Sequence, residues 1–240
     1  MTYTEIIARL QSSASERYRA NVIKLGIPEE NSIGVSTAEI RKLAKEIGKS
    51  NDLARELWQT GYHEAKLLAV LVFDPKTFPL TEAEFLIAGV ASWDLCDHLC
   101  KNLLLKIKGY EKLIEAWCPA EETYRKRAAF TLMSAAAVHE KKISDGTLDQ
   151  YLQWIAAYSD DNREHVKKAV SWALREIGKK NFTYQEKAIL LAREWIEGGS
   201  KAQAWIAKDA LRELENLVKV EGRERLISAK SQMGREEMGE

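Results

Sequence analysis

The chain has 240 residues, 45% of them hydrophobic, with only 4 Pro and 13 Gly, which excludes a disordered or collagen-like chain and predicts one sizeable core. Lys plus Arg and Asp plus Glu number 36 each, so net charge indicates no partner, and a charged site must arise from local segregation. No apolar run suits a signal peptide or a membrane span, which predicts a cytoplasmic protein without membrane contact, and its three cysteines are expected to be reduced thiols.

Amphipathic segments alternate with turn residues along the first half of the chain. Ser15 and Thr37 are predicted helix caps, Thr81 and Glu84 form a predicted capping box, and residues 27–36 are a predicted loop. The predicted helices cover residues 3–10, 15–25, 38–47, 52–58, 64–73, 81–89 and 93–107.

The second half continues the same alternation without any sustained period of two, so the chain is predicted to be all-α. We expect one helical domain over residues 1–227, followed by a polar, frayed tail over residues 228–240. The predicted helices cover residues 110–117, 122–138, 148–158, 162–178, 184–196 and 202–218.

Three of these helices repeat one pattern at an interval of 41 residues. A helical-pair period of about 40–47 residues is typical of HEAT or armadillo repeats. The fold is therefore predicted to be a HEAT-like repeat solenoid, an α-α superhelix whose second helices form a concave basic face. The repeated positions are Lys126, Lys167 and Lys208, with Ala128, Ala169 and Ala210.

The stretch from Ser92 to Asp97 is predicted to begin a helix, with Ser92 as its N-cap and Asp94 in the first turn. Trp93 and Asp97 are four residues apart, so an indole and a carboxylate would share one helix face. The alternative is an interior Trp beside a capping Asp. The chain's four histidines are predicted to be dispersed, surface or half-buried residues.

A cationic strip occupies residues 162–181, where six cations face two acids and leave a local charge of +4. Lys168, Trp172 and Arg175 recur at spacings of four and three, which suits a surface that follows a phosphate backbone and stacks on bases. The alternative is a solvated cationic face with Trp172 turned to the core. A carboxylate such as Asp97 beside a basic surface could stabilise a cation.

Three motifs together, at 92–97, 125–130 and 166–176, resemble the DNA alkylation repair family of HEAT-like alkylpurine DNA glycosylases. The resemblance spans roughly residues 35–219. It implies a monofunctional glycosylase that releases cationic N3- or N7-alkylated purines from double-stranded DNA, with no metal and no organic cofactor. It also implies that the lesion is processed without being flipped into a pocket.

Carried over by motif, Trp93 and Trp172 would flank the deoxyribose of the lesion, Asp97 would be the catalytic carboxylate, and Arg127 would contact the DNA backbone. Further cations on the predicted inner helices and the strip are candidates for phosphate contacts with alkylated or distorted DNA, which a monomer is expected to bind. The candidate DNA-binding cations are Arg127, Lys126, Lys167, Lys168, Arg175, Lys179 and Lys208.

Turn residues at 26–34 depart from the pattern of active relatives, which carry a second N-terminal helix with an aromatic residue near the cleft. The chain resembles a subgroup that lacks this helix and is weak or inactive on alkylated bases, although Tyr18 could substitute. Two alternatives therefore stand beside the glycosylase: an inactive binding module for damaged or branched DNA, and a protein-binding helical scaffold.

Overall fold

The computed structural model describes residues 1–239, and the chain packs as two compact units, Met1–Lys112 and Leu113–Glu240. Apart from one pair of two-residue strands, the described residues form helices and their connections, which confirms the all-α prediction. None of these helices is both long enough and apolar enough to cross a membrane. The helices of the first unit are α1 (Tyr3–Ser12), α2 (Glu16–Lys24), α3 (Thr37–Ile47), α4 (Asn51–Gln59), α5 (His63–Val72), α6 (Ala83–Ala88) and α7 (Trp93–Asn102).

Helix α5 is the centre of the first unit. It packs against α3, α4 and α7 and is buried on nearly every side, as its continuous apolar sequence predicts. Local caps start the helices around it: Ser36 accepts from the backbone N–H of Glu39 at α3, and Ser50 accepts from that of Leu53 at α4. The helices over residues 37–47 and 51–59 therefore have start signals in their own sequences, and packing on α5 stabilises them.

The predicted loop after α2 is present, and Glu64 of α5 holds it in place. This carboxylate is fully buried and accepts backbone N–H bonds from Ile33, Gly34 and Val35 at 3.0, 2.6 and 3.3 Å. Gly34 has a φ of +94°, and a Cβ there would lie 2.8 Å from the backbone nitrogen of Arg19. The conformation of the loop that follows helices α1 and α2 therefore depends on Glu64, an acid that is distant in sequence.

Three predictions of helix ends in the first unit are wrong. Thr37 is not the cap of α3, because Ser36 caps this helix and Thr37 is its first residue. Thr81 and Glu84 form no capping box, because a 3₁₀ turn over Leu80–Glu82 leads directly into α6. Helix α7 ends at Asn102 instead of residue 107 and is followed by a 3₁₀ turn over Leu104–Lys106. Leu103 and Leu104 are both fully buried, and this turn lets the chain bury both of them.

In the second unit α11 (Glu164–Gly178) packs between α9 (Thr123–His139) and α13 (Lys201–Leu214), and this row contains the 41-residue repeat. Ala128, Ala169 and Ala210 are fully buried at equivalent places in the row, because a small side chain lets neighbouring helices approach closely. The helices that follow α7 are α8 (Glu111–Trp117), which crosses the unit boundary, α9 (Thr123–His139), α10 (Asp145–Tyr158), α11 (Glu164–Gly178), α12 (Phe182–Gly198), α13 (Lys201–Leu214) and α14 (Gln232–Met238).

The described part of the C-terminal segment is ordered, contrary to the frayed tail predicted for residues 228–240, of which residue 240 lies outside the described residues. Helix α13 ends at Leu214 and not at residue 218, because Leu217–Val218 (β1) pairs antiparallel with Ile227–Ser228 (β2). Ser231 then caps α14 by accepting from the Gly234 N–H. Contacts that are distant in sequence therefore order the tail.

Candidate nucleic-acid interface

Trp93 is the first residue of α7, and it is the one tryptophan among the exposed large hydrophobic residues that the structure describes. Its side chain is 42% exposed, whereas Trp58 of the same unit is 3% exposed and belongs to the core. Ser92 occupies the predicted N-cap position without a side-chain cap bond. Asp97 follows Trp93 by one helical turn, so helix geometry gives both residues the same face, as the spacing predicts.

Asp94 is tied to the fold through a partner that was not predicted. Its Oδ2 lies 2.9 Å from Nε2 of His63, whose side chain is buried at the start of α5. Burial disfavours the ionised carboxylate, but the hydrogen bond and the charge of His63 outweigh it and lower the pKa of Asp94. The prediction of a surface or half-buried His63 is therefore wrong, and Asp94 joins the beginnings of α5 and α7.

His98 makes a second connection between these two helices. Its Nε2 lies 3.1 Å from the carbonyl oxygen of Leu67 on α5. Burial lowers the pKa of His98 to about 4, so the ring is neutral near pH 7 and donates Nε2–H to that carbonyl. The orientation of α7, and with it the face that carries Trp93 and Asp97, is thus held by one buried and one half-buried imidazole.

The candidate cations lie in the second unit, and the first of them is held by a buried acid. Lys126 of α9 lies 3.1 Å from Asp161, which also receives the guanidinium of Arg163 at 2.5 Å. Burial would raise the pKa of Asp161, but hydrogen bonds from Arg163 and Lys126 outweigh it and lower this pKa to about 2. Lys126 is therefore committed to a strong internal ion pair.

Glu164 at the start of α11 pairs with two further candidates. Its carboxylate lies 2.8 Å from Lys167 and 2.9 Å from Lys168, and Lys167 Nζ also sits 4.8 Å from the ring centroid of Trp205. The Lys168 and Glu164 side chains are both more than half exposed, so solvent screens this pair and it is worth little. Lys168 can exchange Glu164 for a phosphate at low cost.

Glu213 of α13 neutralises the other end of the strip. It accepts from Arg175 at 2.8 Å and from Lys179 at 2.6 Å, and Lys179 also pairs with Glu176 at 2.9 Å. Burial would raise the pKa of Glu213, but the two cations outweigh it and lower this pKa. The local charge of +4 counted over residues 162–181 is therefore partly neutralised by Glu213 of the neighbouring helix.

The remaining predicted residues differ in accessibility. Arg127 is 6% exposed and donates to the carbonyl oxygen of His165 at 2.7 Å, so it links α9 to α11. Trp172 is partly exposed on α11, and Lys208 is exposed on α13. Trp93 and Asp97 belong to the first unit, whereas Trp172 and the seven cations belong to the second.

Sequence reasoning missed the acids that organise these cations. Asp161 lies beside Lys126, Glu213 lies beside Arg175 and Lys179, and Asp209 accepts from the Ser171 hydroxyl at 2.6 Å. The separation of 38 residues between Arg175 and Glu213 and between Ser171 and Asp209 is close to the helical repeat. That spacing is the signal that could have found them.

A family model described as "DNA alkylation repair enzyme" matches residues 6–214. The chain belongs to this DNA alkylation repair enzyme family. A solved structure described as "a new family of proteins related to the HEAT-like repeat DNA glycosylases with affinity for branched DNA structures" is 20% identical, with a TM-score of 0.73 over 100% of this chain and 95% of that one. The crystal structure of AlkD2 from Streptococcus mutans is 18% identical, with a TM-score of 0.60 over 88% and 98% of the two chains.

At these identities the two structures establish the fold of this DNA alkylation repair family member, which is a HEAT-like repeat of helices as predicted. A search of curated proteins finds no match. Family membership by itself does not assign a role to any of the candidate residues.

Proposed function

We propose that this protein binds DNA and releases cationic N3- or N7-alkylated purines as a monofunctional glycosylase. The observation that supports this most directly is Trp93, an indole 42% exposed at the start of α7 and one turn before Asp97. Core packing does not require an exposed indole there. Asp97 is the candidate carboxylate because it shares the helix face of this indole, whereas Asp94 pairs with His63.

The proposed chemistry needs little from the protein because the positive charge of the alkylated base already weakens the glycosidic bond. Loss of that base leaves an oxocarbenium-like sugar, which the carboxylate of Asp97 would stabilise while it positions the attacking water. The indole face of Trp93 would attract the same charge through cation-π contact. Lys168 and Lys208, the exposed candidates, would contact phosphates.

The test is release of 7-methylguanine or 3-methyladenine from alkylated duplex DNA by the wild type, D97N and W93F. Glycosylase function predicts time-dependent base release that D97N lowers by about 10²- to 10³-fold, as expected for one electrostatic group. D52N is the matched control, because Asp52 is an exposed carboxylate of the same unit paired only with Arg55. Absence of release by the wild type would reject the glycosylase.

A second candidate is a binding module for branched or damaged DNA without chemistry, and the ion pairs of the cationic strip favour it. Five of the seven candidate cations pair with carboxylates, so nonspecific attraction to duplex phosphates is reduced and recognition would depend more on DNA shape. The relative related to HEAT-like glycosylases is described as having affinity for branched DNA structures. Intact binding to a three-way junction without base release would select this candidate.

A further inference from the structure

The first unit contains a cavity of about 290 Å³ beside the start of α7. It opens between the loop after α2, the first turn of α5 and the segment that leads into Trp93. Its walls are mainly apolar, with a few polar side chains, as in pockets that bind small organic molecules. The residues that form the walls and floor are Ile27, Pro28, Gly61, Gly89, Ala91 and Leu95, and the polar ones are Asn31, His63 and Lys66.

Lys66 is the one cation of the lining. Its Nζ donates to the Gly89 carbonyl oxygen at 2.9 Å and sits 5.5 Å from the ring centroid of Trp58. Burial lowers the pKa of Lys66, so the ammonium gains from any additional acceptor. An ammonium carries three N–H donors, and one carbonyl oxygen satisfies only one of them.

Two further side chains, Asn31 and His63, add directional hydrogen bonding. Asn31 donates its amide to the Gly61 carbonyl at 3.3 Å, which leaves its own amide oxygen as an acceptor. The Nε2 of His63 is engaged by Asp94 at 2.9 Å, so Nδ1 is the ring atom that remains for a ligand. The lining therefore offers both donors and acceptors at fixed positions between apolar walls.

We propose that this cavity binds a single unpaired nucleobase. The mainly apolar walls and one already bonded ammonium are unfavourable for a phosphate, which needs several donors to offset its desolvation. A purely aliphatic ligand would give no partner to the remaining N–H donors of Lys66, to Nδ1 of His63 or to the amide oxygen of Asn31. A flat heterocycle with ring acceptors satisfies both conditions, and the volume lies at the lower end of ligand pockets, about 300 Å³, which suits one ring system.

The proposal rests on the proposed DNA binding and adds a reason for a preference among DNA structures. Bases at a branch point or opposite a lesion are unpaired more often than bases in a duplex, and taking one into a cavity costs the least there. Because carboxylates neutralise much of the cationic strip, this pocket would contribute selectivity that phosphate contacts lack. The lesion itself can remain outside the cavity.

The experiment compares a three-way junction that carries an unpaired 2-aminopurine at the branch with a fully paired duplex of the same strands. K66M removes the donor, and A91F fills the cavity from an exposed position without touching the Gly89 contact. K76M, at an exposed lysine outside the lining, is the matched control. Affinity, 2-aminopurine fluorescence and melting temperature are measured for each.

The wild type and K76M are expected to prefer the junction and to change the 2-aminopurine emission on binding. K66M and A91F should lose about tenfold or more in junction affinity and lose the emission change, with duplex affinity unchanged. Equal junction preference and emission in A91F and the wild type would overturn the proposal.

Free 2-aminopurine riboside forms a second arm, which identifies the source of the base. Saturable binding to the wild type but not to A91F supports a nucleobase site even if DNA does not bind, a result that would reject only the proposed function. DNA binding with no emission change and no binding of the free nucleoside rejects only the cavity assignment.

Discussion

Glu213 is predicted to restrain DNA binding, because its carboxylate occupies two cations of the strip. It lies 2.8 Å from Arg175 and 2.6 Å from Lys179, and E213Q removes the charge while keeping the shape. Each phosphate contact contributes about 0.9 to the slope of log affinity against log salt, which corresponds to roughly eightfold in affinity at 0.1 M salt. Release of two cations would therefore raise the DNA affinity by up to about 60-fold. Lys179 keeps Glu176, which places the expected gain nearer to about tenfold.

The assay is fluorescence anisotropy with a labelled duplex between about 50 and 200 mM salt, the range over which phosphate contacts change affinity most clearly. The slope of log affinity against log salt should steepen by about 1 to 2 in E213Q. E215Q is the matched control, because Glu215 pairs with Arg193 near the end of the same helix and both variants lose one negative charge.

An equal rise in affinity for E213Q and E215Q would show that net charge alone controls binding. Unchanged affinity and slope in E213Q, with an unchanged melting temperature, would show that Arg175 and Lys179 do not meet phosphate. Either result would refute the argument that Glu213 masks these two cations.

Three further outcomes follow from single contacts. D97N should leave duplex DNA affinity unchanged or slightly raised, since a carboxylate repels phosphate, and a lowered affinity would contradict its position beside DNA. E64Q should lower the free energy of unfolding by about 3 kcal/mol in urea denaturation, because the buried carboxylate accepts three backbone N–H bonds; a loss below about 0.5 kcal/mol would contradict this role. Because the pKa of Asp161 is lowered from 3.8 to about 2, its ion pairs contribute stability that is present above pH 3.8 and is lost as the pH falls towards about 2. The wild type should therefore lose more stability than D161N through that window in pH-dependent urea denaturation.

Helix positions and the repeat could be predicted from the sequence because both depend on neighbours along the chain. The continuous apolar run of α5 indicates a buried central helix, and the recurrence of Ala128, Ala169 and Ala210 indicates three equivalent packing positions. A cap or an amphipathic stripe acts within one or two helical turns, so its residues are visible together in the sequence. The family resemblance rests on the same kind of local motif, at Trp93 and Asp97.

The internal ion pairs were decided by tertiary structure. The partners His63 and Asp94 are 31 residues apart, and Arg175 and Glu213 are 38 apart, so neither pair is visible as a local motif. A charge count over residues 162–181 gives +4 because it omits the acid that α13 supplies. Packing in helical rows therefore changes the electrostatic meaning of a segment without changing its sequence.

The ends of several helices could also not be predicted from local sequence signals. Residues 81–84 match the sequence pattern of a capping box, yet a 3₁₀ turn precedes α6. The polar tail is ordered because Leu217–Val218 pairs with Ile227–Ser228. The sequence determined which segments are helical and which faces are apolar, since those depend on spacing along the chain. The tertiary structure decided which charges are paired and where a cavity remains, because those depend on side chains that only the packed helices bring together.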